Sequence, residues 1–406
     1  MAGNLLTPKA VAERVRSLPD LANRVPVPDL LDRIQRQGLP TLRQEEWRHN
    51  RRVFFRPEDL ACPPPPPPDL PLRLPFRHDD WITYPILNGY PLSPASPEIT
   101  FQTPPAESGA ARDGYHTLNR LFTPGDHVLR FSPRSPISKV YVPLLNGHWE
   151  QLTCPAVDIR LEEGATVDLF LHHLPGRDGV SLRNTAVSIH LGRGARLRLF
   201  TLDETAPDDQ HLTTIHIVQE GDSHLGWVLE QLTGGRSRWD LSHRLQGEGA
   251  ELELDGLGLL SGSGEGDLHS VITHHSPHTT SRETVKNILP ERSHGIFNGK
   301  VIVDPGAVKT DARQSNRNLL LSADARMHSN PQLEIYADDV RCSHGSATGQ
   351  LDPDQLFYLR SRGLTPDESR SLLLTGFARD ILDRLPWEEV RSYSESTLHA
   401  WMTDLP

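Results

Sequence analysis

From about Val140 to Cys342, apolar and polar residues alternate with period two. Val167, Leu169 and Leu171 are spaced by Asp168 and Phe170. Ala195, Leu197 and Leu199 alternate with Arg196 and Arg198, and Ala250, Leu252 and Leu254 with Glu251 and Glu253. Successive strand side chains point to opposite faces, so this spacing predicts half-buried strands. Glycines open successive strand groups at positions 164, 194, 221 and 249, at intervals of 30, 27 and 28. A near-constant interval with a turn residue and alternating strands predicts stacked coils. The fold expected is mainly β, a right-handed parallel β-helix (β-solenoid) core. A β-sandwich is the alternative, because short evenly spaced strands also suit it.

Helical patterns flank this core. Leu30, Leu31 and Ile34, then Trp47, Phe54 and Phe55, predict two helices separated at Gly38 and Pro40. Cys62 to Pro68 reads CPPPPPP, a run that neither continues a helix nor pairs in a sheet. After Leu351, Asp352-Pro353 starts a helix that Gly363 ends. Thr365-Pro366-Asp367-Glu368 is a capping box, followed by an apolar stripe of Leu373, Leu374, Phe377, Ile381 and Leu385. Trp387, Val390, Leu398 and Trp401 predict one more helix. The expected division is an N-terminal helical region over 1–60, a Pro-rich linker over 61–110, a β-helix core over 111–350 and a C-terminal helical subdomain over 351–406.

Composition narrows the function. The 406 residues carry 42 Lys and Arg against 53 Asp and Glu, a formal charge of −11. That balance disfavours nucleic acid as a partner, which demands basic surface. No segment approaches about 18 uninterrupted apolar residues, and the N-terminus lacks a signal-peptide core, so no membrane partner is expected. Cys62, Cys154 and Cys342 are the only cysteines. So sparse and odd a set points to a reducing, cytoplasmic setting rather than a disulfide framework.

Cys342 and His344 are the first chemical candidates. Thiolate and imidazole are good ligands for iron or zinc, and on a strand the two share a face. Gly345 is expected to give a tight turn beside them. Two ligands do not complete a metal site, so further donors must come from elsewhere, including another chain. His269, His274, His275 and His278 form a second cluster, with His294 after it. Alternation splits that cluster between two faces, which predicts solvated or structurally bonded histidines. Gly295-Ile-Phe-Asn-Gly299-Lys300-Val301 has the wrong glycine spacing and no Ser or Thr for a phosphate loop, and is read as a turn. No common hydrolase signature occurs.

Several long stretches resemble the SufB/SufD family of iron–sulfur cluster assembly scaffolds. They are GLPTLRQEEWRHN, GGRSRWDLSHRLQGEGAELELDGLGLLSG, THHSPHTTSRETVKNIL, HGIFNGKVIVDPGAVKTDARQSNRNLLLS, PQLEIYADDVRCSHGSATG and LFYLRSRGL, in family order. His275 and Ser281 fall on recurring positions. The SufB branch typically has a cysteine near Gln314-Ser315-Asn316 and Glu-His-Glu in place of Cys342-Ser343-His344. Phe297-Asn298-Gly299-Lys300 and CSHG look like the SufD branch. The resemblance implies a scaffold rather than an enzyme, paired with SufB through the β-helix end. It implies an ATPase, SufC, on the C-terminal helices, which explains the missing phosphate loop. Leu373, Leu374, Phe377 and Ile381 would face that partner. A transient iron–sulfur cluster or iron would form at the SufB interface, with His344 a ligand and Cys342 an interfacial thiol. The sequence leaves open whether the isolated chain forms a homodimer. No flavin fingerprint places a flavin on it. The alternatives are a SufB-like paralogue, a purely structural partner that contributes no ligand, and a β-helix carbohydrate enzyme.

Overall fold

The computed structural model describes residues 6–18, 21, 27–51, 54–67, 72–103, 113–147, 151–176 and 179–405. Among them are twenty-one strands, numbered in chain order from β1 (Ile82–Thr83) to β21 (Arg341–Gly349), and six α-helices. Strands alternate between two sheets, odd-numbered from β9 (Thr166–His173) in one and even-numbered from β8 (Ala156–Leu161) in the other. Each strand pairs in parallel with the strand two places on, as β11 (Arg196–Thr205) does with β13 (His224–Thr233). The result is a β-solenoid of about eight turns. Parallel pairing throughout the core excludes the sandwich, whose sheets are antiparallel.

Identical register from turn to turn stacks like on like. Val167, Leu197, Leu225 and Leu252 lie in one inward column, and Leu169, Leu199, Trp227 and Leu254 in the next. All eight are buried in one apolar cluster. The turn glycines fill their expected role: Gly164, Gly194 and Gly249 have φ of 71, 64 and 71°. A left-handed residue is needed at each such turn, and glycine takes it without Cβ strain. Where Gly221 stands, the left-handed position has moved on to Asp222, with φ 58°.

Two helical layers cover the solenoid. N-terminally, α1 (Pro8–Arg16), α2 (Val27–Gln37) and α3 (Gly114–Phe122) bury Val11, Val15, Leu30, Ile34, Leu118 and Leu121 in one cluster with Leu182 and Leu212 of the even sheet. C-terminally, α4 (Pro353–Ser361), α5 (Pro366–Leu382) and α6 (Glu388–Thr403) follow the solenoid. Helices α5 and α6 bury Leu374, Ile381, Val390, Leu398 and Trp401 against Phe170, Phe200, Val228 and Ile288 of the odd sheet. The capping box at Thr365 and Glu368 forms as expected, and Gly363 ends α4 with φ 99°.

Some expectations fail for physical reasons. Trp47, Phe54 and Phe55 do not continue as a second helix. Trp47 sits in a short 3-10 turn, Glu45–Trp47, and Phe55 is left-handed at φ 54°. Arg238 stacks 3.7 Å over Trp47 and Arg236 4.1 Å over Phe54, so cation–π contacts with the solenoid hold this segment instead. Gly295 to Val301 is not a turn but lies inside β18 (His294–Val303). Its alternate residues Phe297 and Val301 fill the core. Residues 82–102 carry four short strands, β1 to β4, attached to the first turns. Of the proline run, Pro63 accepts a hydrogen bond from Tyr90 Oη at 3.2 Å, while Pro68 lies outside the described residues.

The two ends of the solenoid differ. At the N-terminal end the sheets finish in short antiparallel strands, β3 (Tyr90–Pro91) and β4 (Ile99–Gln102). At the other end they finish in β20 (Arg326–Ile335) and β21, each a full-length parallel strand with no further neighbour.

Candidate functional site

The uncapped end exposes what every other turn buries. Along the first inward column Leu252 is followed by Ser281, Ala312 and Cys342; along the second, Leu254 is followed by Glu283, Gln314 and His344. Over the last three turns leucine gives way to small residues in the first column and to polar ones in the second. Ser281, Glu283, Ala312 and Gln314 are all buried, whereas Cys342 is half-buried and His344 exposed. Cys342 and His344 share the inward face of β21, as the extended spacing predicts. Gly345 does not make a turn: it continues β21, held in parallel register by Ser315.

Each terminal side chain rests on a defined support. Partial burial pushes the Cys342 thiol up from its ordinary pKa, while a backbone hydrogen bond with Ala312 opposes that shift. The thiol is therefore protonated at neutral pH, and a metal must displace that proton to bind it. Beneath His344 is a polar pair: Gln314 Nε2 donates to Glu283 Oε2 at 2.6 Å. Burial raises the Glu283 carboxyl, and this hydrogen bond partly offsets the rise. Gly299 makes room for that pair, because a Cβ there would lie 2.2 Å from Gln314 Nε2. Across the end, Ser329 Oγ of β20 meets Ser346 Oγ of β21 at 2.7 Å. Asn318 Nδ2 donates to Thr348 Oγ1 at 3.1 Å. Glu283 escaped the sequence reading, and Gln314 entered it only as part of the segment where the SufB branch has a cysteine. Their signal was the column spacing, 29, 31 and 30 residues from Leu254 to Glu283, Gln314 and His344.

Apolar surface adjoins this end. Val308 and Tyr336 in the last two corner turns and Ile335 at the end of β20 are exposed, Tyr336 at 60%. Two edge strands offer unpaired backbone beside them, a surface suited to receiving another chain.

The histidine cluster is dispersed. His269 faces outward and contacts Asp267 at 3.0 Å and Asn298 at 2.8 Å. His274 points inward to Thr279 at 2.8 Å and Ser281 at 2.9 Å. His275 pairs with Asp304 beyond the strand end, and His278 occupies a left-handed turn position at φ 57°. His294 lies 3.4 Å from Glu265. These are structural roles. Among the described residues, one trio of His, Cys, Asp and Glu donors is close enough to hold an ion: His173, Asp203 and His211, deep inside the solenoid. Cys342 and His344 are not part of it. No disulfide joins the three cysteines, and burial raises Cys154 well above an ordinary thiol.

The apolar stripe of α5 divides. Leu374 and Ile381 are 1% and 0% exposed, packed on the chain's own sheet, so they are not open to a partner. The β face takes them because Phe170, Phe200 and Ile288 need cover. Leu373 is half-buried, and so is Phe377, which lies under Lys286 at 4.7 Å. The exposed apolar residues of this layer are Leu372, Phe357 and Tyr358, at 52%, 73% and 56%.

The family described as SUF system FeS cluster assembly, SufBD core domain, matches residues 144–377. An iron-sulfur cluster assembly SufBD family protein of Synechocystis sp. is 38% identical over 203 residues, 50% of this chain and 45% of the relative. The iron-sulfur cluster assembly protein SufD of Escherichia coli is 30% identical over 225 residues, 55% of this chain and 53% of the relative. SufD of Bacillus subtilis is 30% identical over 177 residues, 44% of this chain and 40% of the relative. The chain thus spans about half the length of the curated relatives it matches.

Proposed function

The chain belongs to the SufBD family of the SUF iron–sulfur cluster assembly system, as a SufD-like member, and from that premise we propose that it is one half of an assembly scaffold. Its open end pairs with the equivalent end of a SufB chain. His344 supplies an iron ligand at that junction and Cys342 an interfacial thiol. The partner supplies the remaining donors, since two ligands leave iron incomplete. Iron and the nascent cluster are cargo here, made and passed on.

One observation carries this reading: the inward columns end, uncovered, in Cys342 and His344, and the one beneath His344 turns polar through Glu283 and Gln314. A column meant only to fill a core would stay apolar and be capped. The carbohydrate-enzyme alternative has no support in the family match.

A SufC ATPase docks on the C-terminal layer, through Phe357, Tyr358 and Leu372 with Leu373 and Phe377 at the margin. The chain itself hydrolyses nothing, and ATP belongs to that partner. The working division is 1–60 as a helical layer, 61–110 as a connection whose strands β1 to β4 join the first turns, 111–350 as scaffold core and 351–406 as docking subdomain. No helix among the described residues is long and apolar enough to cross a membrane.

The test is co-purification from cells, with and without His344→Ala, reading subunits and iron together. The proposal expects SufB and SufC to accompany both forms and iron to fall in the variant. Unchanged iron in an intact complex assigns a purely structural partnership. Loss of both partners under every nucleotide condition overturns the assignment.

A further inference from the structure

The ends of β9 and β11 place His173 and Asp203 side by side in one register, and β12 (Gln210–Gln219) brings His211 to them across the solenoid interior. All three are fully buried, and their ligating atoms lie within 4.8 Å of one another. His211 Nδ1 meets Asp203 Oδ1 at 2.6 Å, and its Nε2 meets Ser181 Oγ at 2.9 Å. The other Asp203 oxygen accepts from Trp239 Nε1 at 2.9 Å and Ser237 Oγ at 2.5 Å. The bonds to Ser181, Ser237 and Trp239 fix the imidazole and the carboxylate, as outer partners do at metal centres, and an entering ion would replace the proton shared by His211 and Asp203.

His173 is the anomaly. Neither of its ring nitrogens has a hydrogen-bond partner, although the ring is completely buried. A buried polar group left unpaired costs free energy, and an ion is one standard explanation. We propose that His173, Asp203 and His211 bind a divalent first-row transition-metal ion, zinc or ferrous iron, inside the solenoid. Two imidazoles and one carboxylate are a donor set for those ions and leave positions open for water. Calcium and magnesium prefer oxygen alone.

Charge permits the ion. Arg183 lies nearby, bonded to Asn146 Oδ1 at 3.0 Å and Leu174 O at 3.0 Å. Asp203 and Asp209 both act on that guanidinium, so two carboxylates face one cation before a metal enters. The site stands five strands from β21 in the same sheet, roughly 24 Å at the usual strand spacing, so it is separate from Cys342 and His344.

The experiment uses the full chain carrying Cys342→Ala and His344→Ala, which silences the open end. It is stripped with chelator, then equilibrated with zinc alone or, without oxygen, ferrous iron alone. Bound metal per chain and Tm are read together, with cobalt as a spectroscopic probe. The proposal expects about one ion per chain and a metal-dependent rise in Tm. Adding His173→Leu lowers affinity roughly 100-fold and abolishes that rise. In chelator the same variant melts no lower than its parent, because it removes an unpaired imidazole. Should it fail to fold, His211→Gln, whose amide can still bond Ser181, gives the same reading. No uptake by the double variant, or unchanged uptake after His173→Leu, overturns the site.

Discussion

Glu230 is a carboxylic acid buried where β13 meets α6. One oxygen contacts Ser394 Oγ and the other has no partner. Burial pushes its pKa up to about 8 from an ordinary 4.5, against the hydrogen bond from Ser394. The folded chain therefore holds a proton that the unfolded chain releases above 4.5. This contribution is complete below pH 4.5 and is lost as pH rises through about 8. Glu230→Gln keeps an acceptor for Ser394 and cannot ionise. Urea titrations should show the variant gaining on wild type between pH 5 and pH 8.5, by up to about 1.4 kcal/mol per pH unit. Burial acts the other way on histidine. It holds His127 and His274 down at about 4 and His243 at about 3. Their stabilisation is present above the ordinary 6.5 and disappears as pH falls toward those values. Wild type should accordingly lose stability steeply in the same titrations from pH 6 to pH 4. A flat profile there would mean that these rings are hydrated.

At the scale of elements, the capping box sets the start of α5. Thr365 Oγ1 accepts from Glu368 N at 3.2 Å, and the Glu368 carboxylate accepts from Thr365 N at 2.7 Å. Thr365→Ala should cost about 1 kcal/mol, read as a lowered urea midpoint at constant slope. That cap was legible because it is local, four consecutive residues with one geometry. Strand alternation and the glycine repeat were legible for the same reason, and they placed Cys342 and His344 on one face. The polar column beneath them was not, because Glu283 and Gln314 look like surface residues until register stacks them. Nor was the fate of Trp47 and Phe54, since Arg238 and Arg236 are remote in sequence. The helix Gly114–Phe122 went unread, and Leu374 and Ile381 showed an apolar stripe without showing which surface would cover it. Periodicity reports that a face is buried; only tertiary packing reports against what.

For the whole molecule, the difference between the two ends matters most. Exposed Val308, Ile335 and Tyr336 beside two unpaired strands make the open end adhesive. Val308→Glu combined with Tyr336→Glu should weaken the proposed pairing with a SufB chain at least tenfold. Tm should stay within a degree or two, because neither side chain is in the core. Analytical ultracentrifugation and a thermal melt on one preparation check both halves. If pairing survives, the contact lies elsewhere.

The opposite end is blunted by short antiparallel strands, one of them ending in Pro91, which has no N–H to offer. A solenoid with two open ends would behave as a bifunctional monomer and polymerise into fibres. Among the described residues this one has a single open terminus. A partner that docks there, as proposed above, consumes that terminus, and growth then stops at a pair.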